Sequence, residues 1–187
     1  ATPEMLSFYS SRFGYPYPWP KYAQIVVRDF VSGAMENTTA SVFMEDLQVT
    51  KRELIDQNWE YIIAHELAHH WFGDLVTCES WGNLPLNESF ANYAEYLWNE
   101  YKHGCDMADY HALEELNAYL YEAEVKQVKL IRSYYEQPRD MFDSHSYSKG
   151  GLILHMLRKY LGDEAFFESL KTYLHTYAYQ AVEADQL

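Results

Sequence analysis

The stretch "IIAHELAHHWFG", Ile62–Gly73, puts three histidines and a glutamate inside an otherwise apolar helical run. A polar helix face, or a pair of ordinary core histidines, is one reading; ligands converging on a metal ion is the other. On an α-helix, residues four apart stand one above the other on the same face. His65 and His69 therefore present their imidazoles to one side, where both can reach a single ion at the roughly 2.0–2.1 Å of a zinc–nitrogen bond. Glu66 lies beside that face, within reach of an attacking water without being a ligand. This is the H-E-x-x-H spacing of zinc proteases. His70 is about 100° further round the helix than His69 and falls off the ligand face.

A third ligand is needed, because catalytic zinc usually takes three protein ligands and keeps a fourth position open. "LNESFANYAEY" supplies Glu88 near the start of the next helix, which Pro85 opens and which ends near Gly104. A turn and an antiparallel return bring it back to the two histidines. Standing alone, Glu88 would be a first-turn acid that complements the helix dipole; joined to His65 and His69, it completes a ligand set. Glu95, two turns further along the same face, either orients a ligand histidine or is a solvated carboxylate.

Composition sets the bounds. The chain has 187 residues, enough for one domain with a sizeable core, and 48% hydrophobic with 22% charged residues is a globular balance. The 18 tyrosines suit broad amphipathic surfaces. A net charge of −14 is the opposite of the basic footprint that nucleic acid or an anionic membrane demands, so neither is expected as a partner. Cys78 and Cys105 define no disulfide framework. There is no eighteen-residue apolar run and no signal-peptide pattern, and the compartment is left undecided. The start at Ala1 without a methionine, and the end at "VEADQL", resembling the opening of a helix, read as a piece of something longer.

Punctuation orders the elements. Residues 3–13 predict a short helix followed by the stiff connection "GYPYPWPK". "YAQIVVRDF" (Tyr22–Phe30) and "TASVFM" (Thr39–Met44) predict strands, with "SGAMEN" between them. Asp56 is the expected N-cap of a helix running to Phe72 with Gly73 as its stop. Further helices are expected from Asp106 to about Glu124, from Ser146 to Leu161 with Gly162 as its stop, and again from Asp163. The class is α+β: a small sheet at the front and a mostly helical body.

At this point the chain resembles a known family. "HELAHHWFGDLVT" followed by "LNESFANY" is similar to the gluzincin zinc aminopeptidases of the aminopeptidase N and leukotriene A4 hydrolase type, with a thermolysin-like catalytic domain. "GAMEN" (Gly33–Asn37) matches that family's exopeptidase signature, and "SYSKGGLILHMLRKYLG" its tyrosine-bearing segment. The resemblance runs from about Tyr15 to the end and implies a single catalytic domain over residues 1–187, with zinc as cofactor and a peptide bearing a free α-amine as partner. It implies that His65, His69 and Glu88 hold the metal, that Glu66 is the general base, and that Tyr147 donates to the oxyanion. Glu36 would bind the substrate ammonium, while Gly33, Ala34 and Met35 pair with the peptide as an added strand, and Asn37 completes this substrate-binding set.

Some residues depart from that pattern. Where the family usually reads Trp-Leu-Asn-Glu-Gly-Phe, this chain reads "PLNESF", which makes Ser89 a candidate for reshaping the first-residue pocket. The family more often has glutamine in place of His70. Its N-terminal β-sandwich, which contributes a glutamine to amine recognition, and its helical C-terminal domain have no counterpart in these residues. His103, His111, His145, His155 and His175 lack a ligand pattern and read as surface or satisfied core residues, and Lys149 as structural. Two alternative functions share the same motifs: a thermolysin-like endopeptidase, which has no need of Glu36, and a non-catalytic peptide-binding relative.

Overall fold

The computed structural model describes residues 1–56 and 58–187. A three-stranded sheet comes early in the chain, with β1 (Ala23–Val27), β2 (Ala34–Met35) and β3 (Ala40–Met44). Central β3 runs parallel to β1, Ala23 facing Ala40, and antiparallel to β2, Met35 facing Val42. Along β3, Ser41 and Phe43 point inward while their neighbours are half-exposed, the period-2 alternation of a strand with one buried face. β2 is paired on one side only, so the Gly33–Asn37 segment that contains it lies at a free edge of this sheet.

The body is helical. α1 (Thr2–Arg12) precedes the sheet, and α2 (Glu60–Ala68), α3 (Pro85–His103), α4 (Cys105–Ala123), α5 (Gly150–Leu161) and α6 (Asp163–Tyr177) follow it. Short strands β4 (Val76–Cys78) and β5 (Gln180–Val182) pair in parallel, a long-range contact that no local signal announced. Helix α3 is the axis, packed against α2, α4 and α5. From Pro85 to Trp98 every residue except Asn87 is buried, so its polar members Glu88, Ser89, Asn92 and Glu95 require partners. Aromatic rings close the core beneath: Phe72 stacks on Phe90 at 4.5 Å, and Tyr173 of α6 lies parallel to both. Each such buried ring contributes about 1.5–3 kcal/mol.

The glycine stops hold, since Gly104 and Gly162 take positive φ (92° and 82°) between consecutive helices. The start of α2 does not hold. Asp56 sits in a turn behind the short helical turn Glu53–Ile55, and the Glu60 N–H is accepted by Asn58 Oδ1 at 2.9 Å. The end shifts too. Beyond Ala68 the chain tightens, with the His70 and Trp71 N–H groups bonding three residues back, so α2 stops short of Phe72. The helix expected from Ser146 opens instead with a π-helical turn, His145–Lys149, ahead of α5. Cys78 and Cys105 are unpaired. Among the described residues, no helix is long and apolar enough to cross a membrane.

Candidate active site

Helices α2 and α3 bring His65, His69 and Glu88 together, with one ligand atom of each within 4.8 Å of the others. Glu88 Oε2 lies 3.2 Å from His65 Nε2 and 3.3 Å from His69 Nε2. The other ring nitrogens are engaged elsewhere. His65 Nδ1 donates to Glu95 Oε1 at 2.7 Å, and His69 Nδ1 donates to the Phe72 carbonyl at 3.0 Å. With Nδ1 engaged in each ring, both Nε2 atoms face the Glu88 carboxylate, as donors to it while the imidazoles are protonated and as free lone pairs for a metal once that proton is displaced. Two imidazole nitrogens and one carboxylate oxygen form the donor set of a catalytic zinc centre, so the residues present fit that metal.

The support extends outward. Glu95 is buried, which settles its two readings in favour of orienting His65, and its Oε2 stands 3.2 Å from His111 Nε2 on α4. His111 had no visible pattern in the sequence; its role comes only from α4 packing against α3. Gly73 is a second support. At its φ of +144°, an added Cβ would lie 3.1 Å from the His69 carbonyl and 3.2 Å from His69 Nδ1. Glycine there lets the chain fold back over the His69 ring.

Charges within the cluster are strongly coupled. Burial opposes ionisation of Glu88, yet His69 and His65 hold its carboxyl well below the usual range. Burial likewise lowers His69, and Glu88 outweighs it and draws the imidazole up to about 9. A carboxylate this deep is held by positive charge, which a divalent cation also supplies. Glu66 behaves differently. Burial pushes it up to about 7 despite His65 and His69, and its Oε2 has no hydrogen-bond partner. A buried, unpartnered carboxylate oxygen beside a ligand set is placed to accept a proton.

Tyr147 projects from the π-helical turn, its ring parallel to His65 with centroids 5.9 Å apart. Burial first, then the carboxylates of Glu88, Glu36 and Glu66, raises its phenol far above the ordinary value, so it stays protonated and can donate. A cavity of about 1020 Å³ lies over these groups, lined by His65, His69, Glu88, Glu66, Tyr147, Trp81 and Phe142. Gly33, Ala34, Met35 and Glu36 form part of its wall.

Two of the residues singled out in the sequence lie away from the cavity wall. Asn37 is not among the lining residues; its carbonyl accepts the Ala40 N–H at 2.7 Å and shapes the turn into β3. Ser89 is not on the cavity wall either. It is buried and donates its hydroxyl to the Ser146 carbonyl at 2.7 Å. His70 is off the ligand face, as its helical position requires, yet it does more than fill space. Its Nδ1 donates to the Glu66 carbonyl (3.1 Å) and its Nε2 accepts the Thr39 N–H (3.0 Å), while burial pushes its pKa down to about 4 and keeps it neutral. Thr39 is β-branched with φ of 70°, a strained conformation that this bond helps to hold. His70 thus ties the turn after Gly33–Asn37 to α2. Of the other histidines, His145 donates from Nε2 to the Lys126 carbonyl at 2.8 Å but leaves its buried Nδ1 without a partner, and His175 donates to the Gly14 carbonyl at 3.1 Å.

Comparison with known proteins places this site in a family. Residues 1–187 match the peptidase family M1 domain, and the chain belongs to that family. It is 38% identical over 190 residues to human aminopeptidase N, covering 96% of this chain and 20% of that protein. To mouse endoplasmic reticulum aminopeptidase 1 it is 36% identical over 191 residues, covering 98% and 20%. The chain therefore spans about a fifth of the length of these relatives. Among solved structures, yeast LTA4 hydrolase in complex with bestatin superposes with a TM-score of 0.89 at 25% identity, covering 99% of this chain and 30% of that one. A mutant M1 zinc metallopeptidase from Deinococcus radiodurans, bound to a Tyr-Ser-Ala substrate, gives 0.78 at 31% identity, covering 99% and 38%.

Proposed function

We propose that this chain is the catalytic domain of a zinc-dependent aminopeptidase that releases the first residue from peptides with a free N-terminus. The observation that carries the proposal is the convergence of His65, His69 and Glu88 beside a buried Glu66 whose outer oxygen has no partner. The aminopeptidase relatives, and the tripeptide substrate held by the Deinococcus metallopeptidase, support the choice of substrate class.

Each residue has a distinct task. His65, His69 and Glu88 would hold zinc, which supplies Lewis acidity to polarise the scissile carbonyl and acidify the attacking water. Glu66, raised to about 7, accepts the water's proton and then delivers it to the leaving amine. Tyr147, kept protonated, donates its O–H to the carbonyl oxygen as negative charge develops there. Glu36 pairs with the substrate ammonium, a charge-assisted contact that fixes which peptide bond lies over Glu66. The free edge of β2 aligns the peptide backbone as a further strand.

The test is Glu66→Gln, assayed with free and N-acetylated peptides. Zinc content should remain one per chain while turnover falls by roughly 10²-fold or more. Zinc lost together with activity would mean that Glu66 is a ligand. Equal cleavage of acetylated and free peptides by the wild type would make the protein a thermolysin-like endopeptidase.

A further inference from the structure

We propose that Arg132 and Asp143 are positioning residues for Tyr147: an ion pair outside the cavity sets the turn from which the phenol is presented. This rests on the role given to Tyr147 above. The π-helical turn His145–Lys149 is closed by the Lys149 N–H donating to the Ser144 carbonyl at 2.8 Å. Such turns hold one residue more than an α-helical turn and persist where the surroundings enforce them.

Asp143 supplies much of that enforcement. Its carbonyl accepts the Ser146 and Tyr147 N–H groups at 3.0 and 3.1 Å. Its Oδ1 accepts the His145 and Ser146 N–H groups at 3.1 and 3.0 Å. The unpaired donors at the start of the turn, Tyr147's included, thus converge on one residue. Arg132 fixes the carboxylate in turn, with Nη1 on Oδ2 at 2.7 Å and Nη2 on Oδ1 at 2.8 Å. Nη2 also donates to Ser146 Oγ at 3.0 Å, so one guanidinium grips both Asp143 and the residue before Tyr147. Lys126 reaches the same carboxylate.

Arg132 is itself anchored at the cavity wall. Its N–H donates to the Gly82 carbonyl at 3.1 Å, and an added Cβ on Gly82 would fall 2.3 Å from the Arg132 carbonyl oxygen. Gly82 follows Trp81, which lines the cavity. From the other side Ser89, next to Glu88, holds the Ser146 carbonyl. The turn is therefore clamped between the helix that carries Glu88 and the segment that carries Arg132. A rigid planar pair making two parallel bonds defines orientation better than a point charge does.

A purely stabilising ion pair would have the same geometry, and a double-mutant cycle with Tyr147→Phe separates the two roles. In the zinc-loaded full chain, Asp143→Asn keeps an acceptor for the turn but loses the paired charge, and Arg132→Lys keeps the charge but loses the fork. Each should lower kcat by roughly ten-fold with KM little changed, and should weaken binding of a tetrahedral phosphinic peptide in proportion while leaving a ground-state peptide's affinity unchanged. In the Tyr147→Phe background the same substitutions should change kcat less than two-fold. Zinc content and melting temperature are measured on every variant, and Ser146→Ala reads the same contact if Asp143→Asn fails to fold. Equal losses in both backgrounds, a change in KM alone, or no change in kcat overturns the positioning role. Tyr147→Phe leaving kcat intact overturns instead the role of Tyr147, and this inference falls with it.

Discussion

Gly150 is the residue whose substitution most directly probes how the Tyr147 turn is joined to α3. Its backbone is ordinary right-handed helix (φ −63°, ψ −44°), so glycine is not needed for conformation. It is needed for space: an added Cβ would lie 1.8 Å from Ser89 Oγ and 2.5 Å from Ser89 Cβ. Ser89 cannot swing aside without releasing the Ser146 carbonyl, which it holds at 2.7 Å. Gly150→Ala should therefore destabilise the protein by about 1–3 kcal/mol, the range for overpacking a tight contact. In a Ser89→Gly background the obstructing atoms are gone. There the same substitution should be neutral or stabilising by up to about 1 kcal/mol, the intrinsic advantage of alanine over glycine in a helix. The coupling between the two sites should then be at least about 1 kcal/mol, well beyond the additivity error of independent sites. Urea denaturation of the wild type, both single variants and the double variant measures it. A Gly150→Ala cost that is the same in both backgrounds would refute the close approach as the reason for glycine.

Three other outcomes are expected. His111→Ala, which removes the outer partner of Glu95, should weaken zinc affinity by roughly ten-fold or more in chelator competition; unchanged affinity would leave Glu95 positioned without it. Asp143 is raised by burial, but Arg132 and Lys126 outweigh this and hold it at about 2. Its contribution is thus present above its unfolded value near 4 and is lost as pH falls towards 2. Unfolding free energies of wild type and Asp143→Asn should differ by roughly 2 kcal/mol more at pH 5 than at pH 2, and a gap that is constant with pH argues against the linkage. Glu36→Ala should lower kcat/KM for free-amine peptides by roughly ten- to a hundred-fold and scarcely affect acetylated ones. Equal losses on both would show that the residue does not read the ammonium.

Local spacing decided the elements of the site that are close in sequence. His65 and His69 share a face because a helix repeats every 3.6 residues, and Glu66 falls beside that face for the same reason. Pro85, Gly104 and Gly162 set helix boundaries because they act on their own backbone. The place of Glu88 at the start of the next helix made it the third candidate ligand, while family motifs added Glu36 and Tyr147, which spacing alone would have left among many glutamates and 18 tyrosines. Where local signals compete, composition does not choose: Asp56 and Asn58 are equally good residues to start a helix, and only the packed chain shows that Trp59 stands at the N-cap with Asn58 Oδ1 accepting the Glu60 N–H.

Contacts between residues far apart in the chain were decided by the tertiary structure alone. His111 meets Glu95 because α4 folds back on α3 after Gly104, and His70 meets Thr39 because the sheet lies against α2. Arg132 reaches Asp143 from a segment without regular structure, and Ser89 turns away from the pocket because Gly150 and the Ser146 carbonyl receive it. A side chain's type and its helical phase are properties of the sequence. The partner that satisfies a buried polar group depends on which surfaces the core brings together, and periodicity carries no record of that.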